Sequence, residues 1–224
     1  MVIYPDEAER PTYSLAEAAR YARTSPQSIA RWRAGYAYPT QQGTRRSGPL
    51  TGGAASGFLS FNELVEVAVV SAARCAKVPM KKVRIAIDTA RNLYGVERPL
   101  MTIRFKTDGR EIFTQELETD GASRFVNLSR TGQTAWKYIQ DVLNDLEYES
   151  GVAVRWWPEG TAIPIVIDPR VSFGRPYVAR RGVSTDAIRS QFQAGESIEA
   201  IIDDFDLFRE EVEAALRFEL PKAA

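Results

Sequence analysis

The stretch SLAEAARYARTSPQSIARWRAG, residues 14–35, decides how this chain is read, because it spells two short helices around a tight turn. Ser14 with Glu17 three residues on is a capping box, so a first helix begins at Leu15, with Leu15, Ala18, Ala19 and Ala22 on one face. Thr24 or Ser25 caps a second helix, Pro26 takes a first-turn position that needs no N–H, and Ile29 and Trp32 face inward. Gly35 supplies a left-handed residue that stops the helix. Gln27, Ser28, Arg31 and Arg33 are left exposed. Such side chains donate to phosphates and base edges in a major groove, and Gln and Arg also make bidentate base contacts. A helical hairpin of this length is equally an ordinary packing unit, so the surrounding sequence has to separate the two readings.

Outward from this stretch the charge is one-sided. From Thr12 to Gly57 there are six arginines and one acid, Glu17, a net +5. The segment Tyr36 to Gly57 is rich in Gly, Ser, Thr and Pro and too long for a simple turn. Its only charges, Arg45 and Arg46, stand where a winged helix-turn-helix has its wing. This is the footprint of a phosphate-binding module, although a basic loop can also be merely solvated. Ser60 with Glu63 opens a third helix to Lys77, and Met80 to Tyr94 makes a fourth, stopped by Gly95. Lys81, Lys82, Arg84 and Arg91 line its outer side, open to DNA backbone or simply to water.

Tyr13-Ser14-Leu15, Ala18-Ala19, Ser25-Pro26-Gln27-Ser28-Ile29-Ala30-Arg31-Trp32 and Gly35, followed by a wing and two helices, resemble the MerR and excisionase type of winged helix-turn-helix over residues 12–95. The resemblance implies a second helix that reads the major groove and a wing that grips the backbone or minor groove. Gln27, Ser28 and Arg31 are then readers, with Arg33 beside them, and Arg45 and Arg46 are wing contacts. The chain departs from the pattern at Ala30, where such proteins often carry a second basic residue, and in a longer, glycine-rich wing.

Composition narrows the function classes. The 224 residues are 44% hydrophobic, enough for a folded core, and no run approaches the roughly 20 apolar residues of a membrane helix. The N-terminal MVIYPDEAER lacks the regions of a signal peptide, so a cytoplasmic protein with no membrane association is expected. Cys75, the single cysteine, lies in an apolar helical pattern and reads as a small buried hydrophobe without a disulfide partner. With no histidine and one cysteine, neither a zinc site nor histidine-based catalysis is expected. No phosphate loop, GxGxxG or suggestive carboxylate pair is present either, so neither an enzyme nor a cofactor is expected. The zero net charge conceals halves of opposite sign, +6 over residues 1–100 and −6 over 101–224, which points to different partners.

The whole reads as α+β, mainly α. In the middle, Thr102 to Phe105 alternates, Asp108-Gly109 signals a hairpin and Ile112-Phe113 opens a return strand. Residues 124–129 suggest a third strand, Thr134 to Glu149 a helix striped with Trp136, Ile139, Leu143 and Leu146, and Val152 to Trp157 a further strand. Its adjacent tryptophans must face opposite sides, one packing inward and the other covering a helix or a partner. Ile165 to Pro169 is a short strand, 171–181 a loop, and helices follow at 184–194, 197–205 and 208–218. Two of these again have the shape of a helix-turn-helix. From Ser184 onward, however, ten acids face four basic residues, which repels phosphate and favours protein contact.

Ile167-Asp168-Pro169, Gly174-Arg175-Pro176, Arg180-Arg181-Gly182-Val183-Ser184, Gly195-Glu196-Ser197-Ile198-Glu199 and Glu211-Val212-Glu213-Ala214-Ala215-Leu216 resemble the short domain of unknown function of VapB-type antitoxins, over about residues 163–220. Joined to a helix-turn-helix, this domain implies an antitoxin that neutralises a PIN-like ribonuclease toxin and represses its own operon. A homodimer on two half-sites of double-stranded operator DNA is expected, because one small module makes few base contacts. Arg175, Arg180 and Arg181 are candidates for the carboxylate-rich site of the toxin. The usual Gly-Thr-Arg of the loop is replaced by Ala179-Arg180-Arg181. The expected organisation is a DNA-binding domain at 12–95, an α+β middle domain at 99–160 and an antitoxin-type three-helix domain at 163–220. A ligand-responsive MerR-like regulator, with the Trp-rich middle lining a pocket, and an adaptor with no DNA target are the alternatives.

Overall fold

The computed structural model describes residues 6–40, 43–51, 57–118 and 136–219. They form two units, one of the described residues up to 144 with 148–153, the other of 145–147 with those from 154 on. The expected class is observed: mainly helix, with small antiparallel sheets.

The first unit opens with β1 (Tyr13–Ser14), α1 (Leu15–Tyr21) and α2 (Pro26–Ala34). A hairpin of β2 (Tyr36–Thr40) and β3 (Gly43–Ser47) follows, then β4 (Phe58–Leu59), which pairs antiparallel with β1. Beside them runs α3 (Phe61–Cys75), buried at every residue from Phe61 to Ala73, as expected of a helix apolar on nearly all sides. The capping box of Ser60 and Glu63 starts it. Cys75 lies past the buried stretch and is exposed, which corrects the expectation of a buried thiol. Next comes α4 (Met80–Tyr94), closed by left-handed Gly95.

The middle of the chain departs from the sequence reading. Residues expected as a strand hairpin form one helix, α5 (Ile103–Glu118). Thr102 supplies its start, the Oγ1 accepting the Phe105 N–H at 3.3 Å. Phe105, Gly109 and Ile112 then bury one face at i, i+4 and i+7. Gly109 makes no turn: a Cβ there would stand 3.1 Å from the Phe105 ring and from Trp136, so the missing side chain allows close helix approach. Trp136 and Phe105 pair at 6.1 Å between ring centroids. The expected helix 134–149 also ends sooner, before Leu146. Helix α6 covers residues 136–144, and the chain then enters β5 (Leu146–Glu149), which pairs with β6 (Val152–Trp156). The two residues between, Ser150 and Gly151, both have positive φ, the backbone of a tight hairpin turn. Of the tryptophans, Trp156 is buried, while half-exposed Trp157 donates from Nε1 to Glu147 at 2.7 Å. The strand expected at 124–129 lies outside the described residues.

The second unit follows the sequence reading closely. Strands β7 (Ile165–Val166), β8 (Tyr177–Val178) and β9 (Val183–Ser184) form an antiparallel sheet in that order. Helices α7 (Thr185–Gln193), α8 (Ile198–Phe205) and α9 (Arg209–Glu219) complete it. Ser184 and Ser197 cap the first two. Ile165, Val178, Ile188, Ile201, Val212 and Leu216 meet in the core.

Candidate nucleic-acid interface

Helix α1 begins at the capping box, with the Glu17 N–H on Ser14 Oγ at 3.2 Å and the Ser14 N–H on Glu17 Oε2 at 2.8 Å. Ala22 caps its end and Arg23 turns the chain with φ 52°. Ser25 Oγ then accepts the Ser28 N–H at 3.1 Å to start α2. Ile29 and Trp32 are buried with Ala18, Ala19 and Tyr21, which fixes α2 against α1 and sets its opposite face outward. On that face Gln27, Ala30 and Arg31 are exposed and Ser28 is half-buried. Gly35 has φ 68° and ψ 178°, an extended mirror-image conformation open essentially only to glycine, and not the left-handed helical one expected. It ends α2 and launches β2 at once.

The β2–β3 hairpin is the wing. Its register sets Arg45 opposite Tyr38 and Arg46 opposite Ala37. Backbone contacts tie its base to the helices: the Leu50 N–H donates to the Trp32 carbonyl at 2.8 Å, and Arg84 Nη1 of α4 donates to the Gly48 carbonyl at 2.5 Å. Arg84 therefore braces the wing. Of the other basic residues on α4, Lys82 is buried, Arg91 bonds Asp88 and the Glu97 carbonyl, and Lys81 is exposed.

Arg33 overturns one expectation. It is 8% exposed, donates to the Phe58 carbonyl at 3.0 Å and pairs with Glu63 of α3 at 3.5 Å. Ile29, Trp32 and Arg33 stand at i, i+3 and i+4, so Arg33 shares the inward face, a spacing visible in the sequence. One turn along α3, buried Glu66 receives Arg98 Nη1 at 2.7 Å, and Arg98 also holds both Glu9 oxygens at 3.2 Å. Burial pushes the Glu66 carboxyl up to about 7, against the downward pull of Arg98. Glu9 belongs to a 3-10 turn, Asp6–Glu9. These carboxylates and arginines hold the module together from behind, away from the exposed face of α2.

The candidate arginines of the second unit have unequal fates. Arg180 grips Glu211 from Nε at 3.1 Å and Nη2 at 2.9 Å, donates to the Asp206 carbonyl at 2.6 Å and stacks 4.1 Å from the Phe208 ring centroid. It clamps the α8–α9 turn, with a side chain that stays 32% exposed. Arg175 and Arg181 keep exposed side chains, on Asp186 at 3.3 Å and on Asp206 respectively.

The exposed helix face with a hairpin wing beside it defines the first unit as a winged helix-turn-helix. Residues 11–87 match the family described as "Putative DNA-binding HTH domain", and residues 165–218 match "Protein of unknown function (DUF433)". The chain is similar to "Putative antitoxin VapB45" of Mycobacterium tuberculosis (strain ATCC 25618 / H37Rv), 28% identical over 225 residues and 92% of each chain. Its fold is like that of the X-ray crystal structure of Rv2018 from Mycobacterium tuberculosis, with a TM-score of 0.68 over 92% of this chain and 98% of that one, at 23% identity. The resemblance to VapB-type antitoxins that join a helix-turn-helix to a domain of unknown function is thus borne out in both modules. Among the described residues no helix is long and apolar enough to cross a membrane.

Proposed function

We propose that this chain is the antitoxin of a type II toxin–antitoxin system, a regulatory binding protein and not an enzyme, which binds operator DNA through its first unit and a PIN-like ribonuclease toxin through its second. The observation that carries the DNA half is the pairing of an exposed Gln27/Arg31 face on α2 with a hairpin wing bearing Arg45 and Arg46. Ser28 lies between the readers and contributes its hydroxyl. Similarity to a protein named as an antitoxin supports the toxin half. In this reading residues 12–95 carry the DNA, 163–220 the toxin, and 99–160 join them. A homodimer places two α2 helices on two half-sites, because one small module makes few base contacts. Repression of its own operon follows where the operator overlaps the promoter.

The test is binding of the full chain to the duplex upstream of its own gene, against a scrambled duplex at the same salt. Arg31→Ala should cost about 1–3 kcal/mol on the cognate duplex, and Arg45→Ala and Arg46→Ala should each lower the salt slope by about one. Equal affinity for both duplexes overturns the DNA reading; unchanged affinity in all three variants overturns the contact assignment.

A further inference from the structure

Phe173 is 91% exposed, the most exposed of the large hydrophobic side chains in the described residues. It is also held in an unfavourable backbone state. Ser172 and Phe173 have φ of 48° and 55°, consecutive left-handed residues of which neither is glycine, and each such residue costs on the order of 1 kcal/mol. The loop around them is tightly made. Buried Asp168 accepts the Arg170 N–H at 2.9 Å and the Arg170 guanidinium at 2.8 Å, and also takes Arg155 at 3.2 Å. The Val171 N–H returns to the Asp168 carbonyl at 3.0 Å, the Gly174 N–H to Val171 at 2.9 Å, and Ser172 Oγ donates to the Gly182 carbonyl at 2.9 Å. A rigid loop thus holds a phenyl ring in water in a conformation that glycine would adopt more readily. Folding stability gains nothing from that arrangement.

The surroundings indicate what the ring meets. The Ser172–Gly182 bond sets Phe173 beside the turn that carries Arg181, which in turn pairs with Asp206 next to 60%-exposed Phe208. Residues 168–183 hold four arginines and one acid, a net +3, in front of a helical segment, 184–224, whose net charge is −6. Two exposed aromatic rings among partly solvated arginines match an apolar pocket with an acidic rim, and aromatic and arginine side chains are the usual anchors of protein interfaces. Nucleic acid fits poorly, because phosphate offers the apolar rings no pocket and the helical segment that follows, net −6, repels it.

We infer that Phe173 is the anchor by which the second unit docks its protein partner, inserting into an acidic-rimmed apolar pocket with Arg175 and Arg181 at the edge. This rests on the antitoxin reading and names the residue that engages the toxin. The test uses the full chain and the protein encoded by the adjacent reading frame, with affinity measured by calorimetry and melting by scanning calorimetry. Phe173→Ala and Phe173→Gly should weaken binding by about thirtyfold or more, with Phe173→Leu in between. Phe173→Gly should melt at the same or a higher temperature than the parent chain, because it relieves the left-handed strain. Binding of the upstream duplex should stay unchanged in all three variants. A parent chain that does not bind the neighbouring protein overturns the antitoxin reading. Parent binding that survives Phe173→Ala and Phe173→Gly overturns this inference alone. Loss of self-association in the variants, with neighbour binding intact, makes the occupant a second copy of this chain and also overturns it.

Discussion

Arg33→Ala separates a structural arginine from the proposed reader Arg31, two positions away on the same helix. The substitution removes an ion-pair partner of Glu63, whose side chain is 7% exposed, and the donor to the Phe58 carbonyl. Removing one member of a buried pair typically costs about 3–5 kcal/mol, because the remaining charge is left without compensation. Glu63 keeps the Ser60 N–H at 2.9 Å on its other oxygen, and the pair itself is long at 3.5 Å, so the low end, about 3 kcal/mol, is expected. For a unit of this size that corresponds to a melting point lower by roughly 6–12 °C. Arg31→Ala, on the exposed face, should change stability by less than about 0.5 kcal/mol while weakening operator binding. Arg33→Met with Glu63→Gln should recover part of the loss, since glutamine removes the buried charge and keeps the acceptor for the Ser60 N–H. Calorimetric melting and duplex binding by fluorescence anisotropy, on the same samples, decide the matter. An Arg33→Ala chain with unaltered melting and lost operator affinity would refute the structural role and return Arg33 to the reading face.

Glu66 makes a pH-dependent contribution. Its carboxyl is raised from 4.5 to about 7 in the fold, so the folded state holds the proton more tightly. The associated stability is fully present below pH 4.5 and is lost as pH rises through 7. Urea unfolding at pH 5 and pH 8 should show a larger drop for the parent chain than for Glu66→Gln; equal drops contradict the shift. Gly109→Val should cost about 1–3 kcal/mol by forcing apart α5 and Trp136, whereas Gly109→Ala should stay within about 1 kcal/mol because helix propensity offsets the crowding. Chemical denaturation measures both, and a stabilising valine would show that the contact can open freely.

The middle of the chain shows where local signals mislead. Asp108-Gly109 has the composition of a hairpin turn, but Gly109 is selected by the Trp136 ring that packs over it, a contact 27 positions away in sequence. The true hairpin sits at Ser150-Gly151, where a continuing apolar stripe through Leu146 suggested helix. In the second unit the serine caps and the apolar spacing of the helices agree with the packing, so its three helices read correctly, while the strand β8 forms inside the stretch expected as a loop.

At the candidate sites the same division holds. Capping boxes, Pro26, the Ile29–Trp32 spacing and the basic segment around Arg45 are local features, and they suffice to define the helix-turn-helix and its wing. Which arginines face outward is not local. Arg33 carries the same charge as Arg31, yet it is held by a carboxylate brought from 30 residues away. The exposure of Phe173 likewise arises from bonds between its loop, Asp168 and Gly182. Helix starts and stops follow from neighbours a few residues apart, whereas the availability of a charged or aromatic side chain depends on what the fold sets against it.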